Sequence, residues 1–299
     1  MASKLSGILH GVHGARDEIL VASVAHHETR SSDWSPTTIM RFKLTIEYAG
    51  TRYSGWQVQK NARTVQGELE RAIVEATGAR DLELYGSGRT DAGVHALRQV
   101  AHLELTINLP PETLRRRVND ELPSDIVLLS VERVRHRFHA RHDAIASSYI
   151  YQISRRRTAF AKPFVWWVKD DLDLEAMRRA ARRFVGLHDF QAFSDDDPTE
   201  QSTEVLIGTL ELHEDGDLIV VHIEGSHFIW KMVRGLVGVL VEIGRGALSE
   251  ENAARLLTDR SELPARLTAP ASGLFLERVY YPDDARDQPI QAAAVVART

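Results

Sequence analysis

One carboxylate, Asp91, stands inside the run Tyr85-Gly-Ser-Gly-Arg-Thr-Asp-Ala-Gly-Val-His95, two residues after Arg89 and four before His95. Glycines at 86, 88 and 93 offer backbone shapes closed to bulkier residues, so a side chain here can be lifted toward a ligand. A carboxylate so presented suits nucleophilic or general-base work, and a guanidinium at Arg89 would orient it and favour its charged form, or else clamp a phosphate. A turn aspartate bonded to nearby amides is the plain alternative for Asp91, and a hydrogen bond within the loop is the plain alternative for His95.

Two further segments carry chemistry-bearing types. Ala146-Ser-Ser-Tyr-Ile-Tyr151 offers Tyr149 and Tyr151, which point the same way if the segment is a strand, each an aromatic face plus a hydroxyl. Phe228-Ile-Trp-Lys-Met-Val-Arg-Gly-Leu-Val-Gly238 places Lys231 and Arg234 at helical spacing beside an apolar stripe, where a buried cation needs an acid or a phosphate as partner.

These segments resemble the TruA family of tRNA pseudouridine synthases: G-R-T-D-A-G-V-H around Asp91, the tyrosine segment at 149, F-x-x-x-M-V-R ending at Arg234, and Gly273-Leu-Phe-Leu276. The resemblance runs from Met40 to about Pro282. It implies that Asp91 is the nucleophile on a uridine, that Tyr149 rather than Tyr151 packs on its base, that Arg234 is an active-site cation, and that Leu274 lines the uracil pocket. Trp56 and Gln57, in Ser54-Gly-Trp-Gln57, are expected to touch RNA, with a core role the alternative for Trp56. The reaction implied breaks the C1′–N1 bond, turns the uracil and rejoins it through C5, at tRNA positions 38 to 40 in the anticodon stem-loop. No redox or phosphoryl step is involved, so no cofactor or metal is expected. Relatives act as homodimers, and the expected partner is tRNA rather than DNA or a membrane. The sequence departs from the family in Asp195-Asp-Asp-Pro-Thr-Glu-Gln-Ser-Thr-Glu204, where a basic residue is usual and where acids would repel phosphate.

The elements that must position these groups read as follows. Residues 1–39 lack periodicity and are expected to form a poorly ordered tail, so a chain begun at Met40 is expected to fold. Arg41 to Tyr48 alternates as a strand, Thr64 to Thr77 is an amphipathic helix stopped by Gly78, and a strand near Val100 to Leu105 follows the Asp91 loop. Pro111 to Leu122 reads as a helix and Ile126 to Val134 as a strand. A second pass of similar grammar has a strand at 148–153, a helix capped by Asp173 and ending at Gly186, two strands joined by Asp215-Gly216, an apolar helix from Phe228 to Ile243, a helix capped by Ser249, and a strand from Gly273 to Tyr280. The expected fold is α+β: two ferredoxin-like, RRM-like halves, 40–143 and 144–283, forming a mixed sheet with helices packed on it and a cleft between the halves, followed by a loose tail at 284–299.

Composition sets outer limits. The chain has 299 residues, 43% hydrophobic, with no cysteine, which removes disulfides, thiolate catalysis and cysteine zinc sites. No apolar run reaches the roughly 20 residues needed to span a bilayer, and no leader is evident, so a cytoplasmic location is expected. The net charge is −5, yet seven arginines lie between positions 133 and 157, with further clusters at 115–117 and 178–183. Phosphate binding follows the local field, and Arg137 and Arg141 are expected to meet phosphates. His136, His139 and His142 invite a metal reading that lacks an acid cluster to complete it. A non-catalytic RNA binder would explain the arginines but not the Asp91 loop, and a glycosidase would want a second carboxylate about 5 to 9.5 Å from the first.

Overall fold

A computed structural model describes residues 39–194, 202–286 and 289–293. The expected tail at 1–39 therefore lies outside the described residues except for Ile39, as do residues 195–201 of the acidic loop and part of the C-terminal tail.

The first strand, β1 (Met40–Tyr48), buries every second residue, as its alternation requires. Helix α1 (Val65–Thr77) begins where the Thr64 side chain accepts from the Gly67 amide and ends where Gly78 takes a left-handed φ of 71°. A short strand, β2 (Leu82–Gly86), leads into the Asp91 loop, and β3 (His95–Leu105) leads out of it. Helix α2 (Pro111–Glu121) and β4 (Ile126–Arg133) follow. Then come β5 (Ala146–Ser154), the two-residue β6 (Trp166–Trp167), α3 (Leu174–Arg183) with Asp173 as its cap, and β7 (Gly186–Asp189). Strands β8 (Glu204–Asp215) and β9 (Leu218–Gly225) form a hairpin. Helices α4 (Met232–Gly244), α5 (Glu250–Arg255) and α6 (Leu263–Arg266) precede the last strand, β10 (Leu274–Tyr280).

The strands make one ten-stranded mixed sheet in the order β4-β1-β3-β10-β5-β9-β8-β7, with β2 added to β3 and β6 to β5. This is the α+β arrangement expected from the alternating strand and helix patterns. Two large cores flank the middle of the sheet. One gathers β1, α1 and α2 around Phe42, Leu44, Ile46, Leu69 and Leu114. The other gathers α3, α4, β8 and β9 around Met177, Phe184, Val221, Leu236 and Leu240. The last strand joins them: Leu276 and Val279 pack in the first core, Leu274 in the second.

Four local differences from the sequence reading have physical causes. Helix α4 starts at Met232 rather than Phe228, because Lys231 is in the left-handed conformation (φ 59°) and breaks the turn before it. Helix α3 ends at Arg183, and Gly186, with φ 114°, opens β7 instead of closing the helix. The hairpin turn sits at Gly216-Asp217, since Asp215 still pairs with Leu218. Strand β2 has only five residues and pairs solely with β3, too short to announce itself by alternation.

The seam of the sheet is the parallel contact of β10 with β3, where Phe275 lies beside His95 and Leu276 beside Ala96. His95 is 1% exposed and stacked on Phe275, with ring centroids 4.7 Å apart. Its Nδ1 accepts from the Gly50 amide at 3.0 Å, so its Nε2 carries the proton and donates to the Pro163 carbonyl at 3.1 Å. Burial lowers its pKa, and the expected substrate contact from this ring is corrected to a structural one. A second imidazole, His102, is buried with Nδ1 accepting from the Ala140 amide at 3.1 Å. Burial, then the Arg41 charge, lowers its pKa to about 4.

Above about pH 6.5 both the folded and unfolded chain hold His102 neutral. Below that the unfolded chain takes up the proton first, so stability falls as pH drops toward 4. We expect a loss of about 1 kcal/mol by pH 5.5 from this ring, or about 2 to 4 °C in Tm. His102→Asn, which keeps an acceptor, should flatten that part of a Tm-against-pH curve; an equally steep variant would assign the slope to other groups.

Candidate active site

The Asp91 loop is held by its neighbours in the first half of the chain. The Trp56 amide donates to the Thr90 carbonyl at 3.0 Å, and the Gly93 amide to the Tyr53 carbonyl at 3.3 Å. Glycines make these approaches possible: a Cβ on Gly50 would stand 1.8 Å from the Val94 carbonyl oxygen, and one on Gly55, at φ 92°, 2.6 Å from that of Thr90. Within the loop, Gly93 has φ 80° and the Val94 amide closes a turn onto the Asp91 carbonyl at 3.1 Å. Only Gly93 uses the conformational freedom expected of all three loop glycines. Gly86 is required instead because Trp56 lies against it, and Gly88 borders open space.

Two buried side chains clamp the residues on either side of Arg89. The Gln99 amide donates to the Gly88 carbonyl at 3.1 Å while its oxygen accepts from the Ser87 hydroxyl at 2.8 Å. The Tyr48 hydroxyl and the Thr90 hydroxyl share a bond of 2.8 Å. Burial pushes the Tyr48 phenol pKa upward, so it keeps a hydrogen for that bond. Sequence reasoning missed Tyr48, Thr90 and Gln99; the signal for Tyr48 and Gln99 was polar groups on core-facing strand positions, which a buried network explains.

Arg234 approaches from the second half. It is in the first turn of α4, where Gly238 lets the chain at Leu267 come so close that a Cβ would lie 1.7 Å from its carbonyl oxygen. That approach brings up Ala269, whose amide donates to the Arg234 carbonyl at 3.1 Å and whose carbonyl accepts from Arg234 Nε at 2.7 Å. The guanidinium so fixed donates from Nη1 to Asp91 Oδ2 at 3.2 Å. The cation on Asp91 is therefore Arg234. Arg89 is exposed and makes no ion pair with Asp91, a correction to the role read from its spacing.

Tyr149, on β5, is partly buried and packs against both cores, with Phe228 edge-on to its ring at 5.2 Å. Burial first, then Tyr48 and Asp91 beside it, pushes its phenol pKa upward, so it is neutral at physiological pH. Tyr151 is fully buried and its hydroxyl donates to the Pro270 carbonyl at 2.8 Å. Geometry thus separates the two tyrosines that strand alternation left together.

Leu274 is buried in the core that holds α4. Trp56 is 1% exposed, packed on Tyr48 and Gly86, so its expected RNA contact is corrected to that of a core anchor under the loop. Gln57 beside it is partly exposed. Lys231 stands outside the helix that was expected to carry it in phase with Arg234, and its Nζ lies 4.0 Å from the Trp230 ring centroid. Arg137 and Arg141 are exposed on the loop after β4. On that loop His139 and His142 are in ring contact at 4.1 Å, while His136 reaches toward Glu104 at 3.4 Å.

The family model for tRNA pseudouridine synthase matches residues 44–143 and 180–282, a span that includes the Asp91 loop and Arg234. The chain is 37% identical to tRNA pseudouridine synthase A 2 of Clostridium tetani over 243 residues, 80% of this chain and 98% of that protein. It is 41% identical to tRNA pseudouridine synthase A of Geobacter sp. strain M21 over 245 residues, 81% of this chain and 98% of the relative. A third relative, from Rhodopseudomonas palustris strain BisA53, is 41% identical over 244 residues, 81% of this chain and 99% of its own. The chain belongs to the TruA family of tRNA pseudouridine synthases, isomerases that convert uridine to pseudouridine in tRNA.

The clamp on Thr90 has a measurable consequence. Tyr48→Phe removes one hydroxyl and is expected to slow isomerisation about fivefold, about 1 kcal/mol, with KM for tRNA little changed. A kcat equal to the parental value would show that the loop holds Asp91 without it.

Proposed function

We propose that this enzyme isomerises uridines at positions 38 to 40 of the anticodon stem-loop, with Asp91 as the nucleophile. The observation that carries the reading is the Asp91–Arg234 contact, 3.2 Å long and bordered by Tyr149. The target nucleotide leaves its stack, as enzymes acting on a base within a helix require, and its uracil rests on the Tyr149 face. Arg234, held by Ala269, fixes one Asp91 oxygen and leaves the other to the substrate.

Asp91 adds to the base at C6, or attacks or deprotonates the ribose; the same carboxylate position serves each route. In all of them the C1′–N1 bond breaks, a C1′–C5 bond forms, the C5 hydrogen leaves as a proton and N1 gains one. Tyr149 remains a neutral phenol and acts by stacking and hydrogen bonding, since its pKa lies well above neutrality. The positions, like the homodimeric and cytoplasmic state we assign to the active enzyme, rest on the family resemblance of the loop and helix motifs.

Asp91→Asn keeps shape and removes the charge. It is expected to abolish tritium release from C5-labelled uridine in tRNA while tRNA affinity stays within about threefold, whereas Arg234→Lys, which cannot hold Ala269 and Asp91 with one rigid fork, should lower kcat by about 10²-fold or more. Full tritium release by a clean Asp91→Asn preparation would end the proposal, and release from uridines outside 38 to 40 would correct the position.

A further inference from the structure

The arginine clusters differ in how they are satisfied. In each of the other clusters some members are paired: Arg115 with Glu112, Arg155 with Glu214, Arg156 with Asp217, Arg178 with Glu175 and Arg179 with Glu250. From the end of β4 through the loop after it, by contrast, Arg133, Arg135, Arg137 and Arg141 are all exposed and form no ion pair among the described residues. Four cations within nine residues repel one another, and a polyanion relieves that repulsion.

Aromatic surface lies among them. Tyr85, on the strand that opens into the Asp91 loop, is 45% exposed. It faces His102 across the sheet at 5.7 Å and meets His139 edge-on at 5.0 Å, and His139 continues to His142 at 4.1 Å. The backbone holds this ladder: His139 Nδ1 accepts the amides of Arg141 and His142 at 3.2 Å, Asp143 accepts the His139 amide at 2.9 Å, and the Ala140 amide is held by His102. The His139 ring is thus fixed before any ligand arrives, with the Tyr85 and His142 rings packed against it. The Arg141 charge is near enough to act, after burial, in lowering the His227 pKa, and Phe228 next to His227 packs on Tyr149.

We infer that Tyr85, His139 and His142 form a stacking platform for an unpaired base of the bound tRNA, with Arg137 and Arg141 holding the phosphates of the same strand. Preformed aromatic faces between cations are what single-stranded RNA requires, since every base has a π-face and every linkage a charge. The platform includes β2, the strand that runs directly into the Asp91 loop, so a nucleic-acid strand docked there has a path toward the nucleotide at Asp91. The inference needs tRNA as substrate but neither the 38 to 40 assignment nor the role of Asp91.

The test is tRNA binding at one fixed salt concentration, with Tm measured alongside. Tyr85→Ala and His142→Ala should each weaken binding about tenfold with Tm within a few degrees, Tyr85→Phe should bind as the parent does, and Arg137→Ala should lower the salt slope by about 0.7 to 0.9. Unchanged affinity in both alanine variants would overturn the platform, as would equal losses in Tyr85→Phe and Tyr85→Ala, which would assign the effect to the hydroxyl. A changed sedimentation state with unchanged tRNA affinity would give the surface to a second copy of the chain instead. Should Tyr85→Ala fail to fold, photocrosslinking of 4-thiouridine tRNA to the unaltered protein decides: links at Tyr85, His139 or His142 support the platform, and links only elsewhere overturn it.

Discussion

A single contact, Arg234 to Asp91, makes the two halves of this chain into one site. Its partners are 143 residues apart, Asp91 in the loop between β2 and β3 and Arg234 in the first turn of α4. A carboxylate and a guanidinium that are both mostly withdrawn from water stabilise one another only if geometry is held tightly, because removing either leaves a buried charge unpaired. Much of the middle of the fold can be understood as that constraint. Gly238 admits the 267–269 backbone, Ala269 fixes the guanidinium, and β10 carries the chain from there into the seam beside β3.

The carboxylate side is held with equal care by different means. Val94 is buried in the core of the second half although its loop belongs to the first, and His95 is locked between two carbonyl-and-amide partners at the seam. Tyr48 and Gln99 hold the residues flanking Arg89, whose own side chain is exposed. Fixed donors and charges of this kind favour a transition state because they need not reorganise as charge develops. Ser87 adds to this, since its hydroxyl donates to Gln99.

How much of this was legible beforehand depends on whether the cause was local. Strand β1 and helix α1 were readable because alternation and a Thr64-to-Gly78 pair of caps are written within their own residues. Asp91, Tyr149 and Arg234 were picked out by motif, and the fold brings all three together. Arg89 was misjudged because closeness in sequence is not closeness in space: its neighbours are clamped, its side chain is exposed, and the cation on Asp91 is Arg234. Trp56 and His95 were misassigned because aromatic and imidazole groups serve cores and ligands alike, and only burial separates the uses. The late start of α4 could not be read, since nothing in a lysine announces a left-handed φ. The clamps were invisible for a related reason, as each depends on two side chains more than ten residues apart.

The most direct test of the central claim is a double-mutant cycle on the single-turnover rate of uridine isomerisation, using Asp91→Glu, which keeps a carboxylate and a measurable rate, Arg234→Gln and the pair together. If Arg234 acts through Asp91, the double variant should be no slower than the slower single variant, so that the two losses fail to multiply. Losses that multiply in full would mean that the guanidinium serves the reaction independently, and that the contact joining the two halves is not what organises the site.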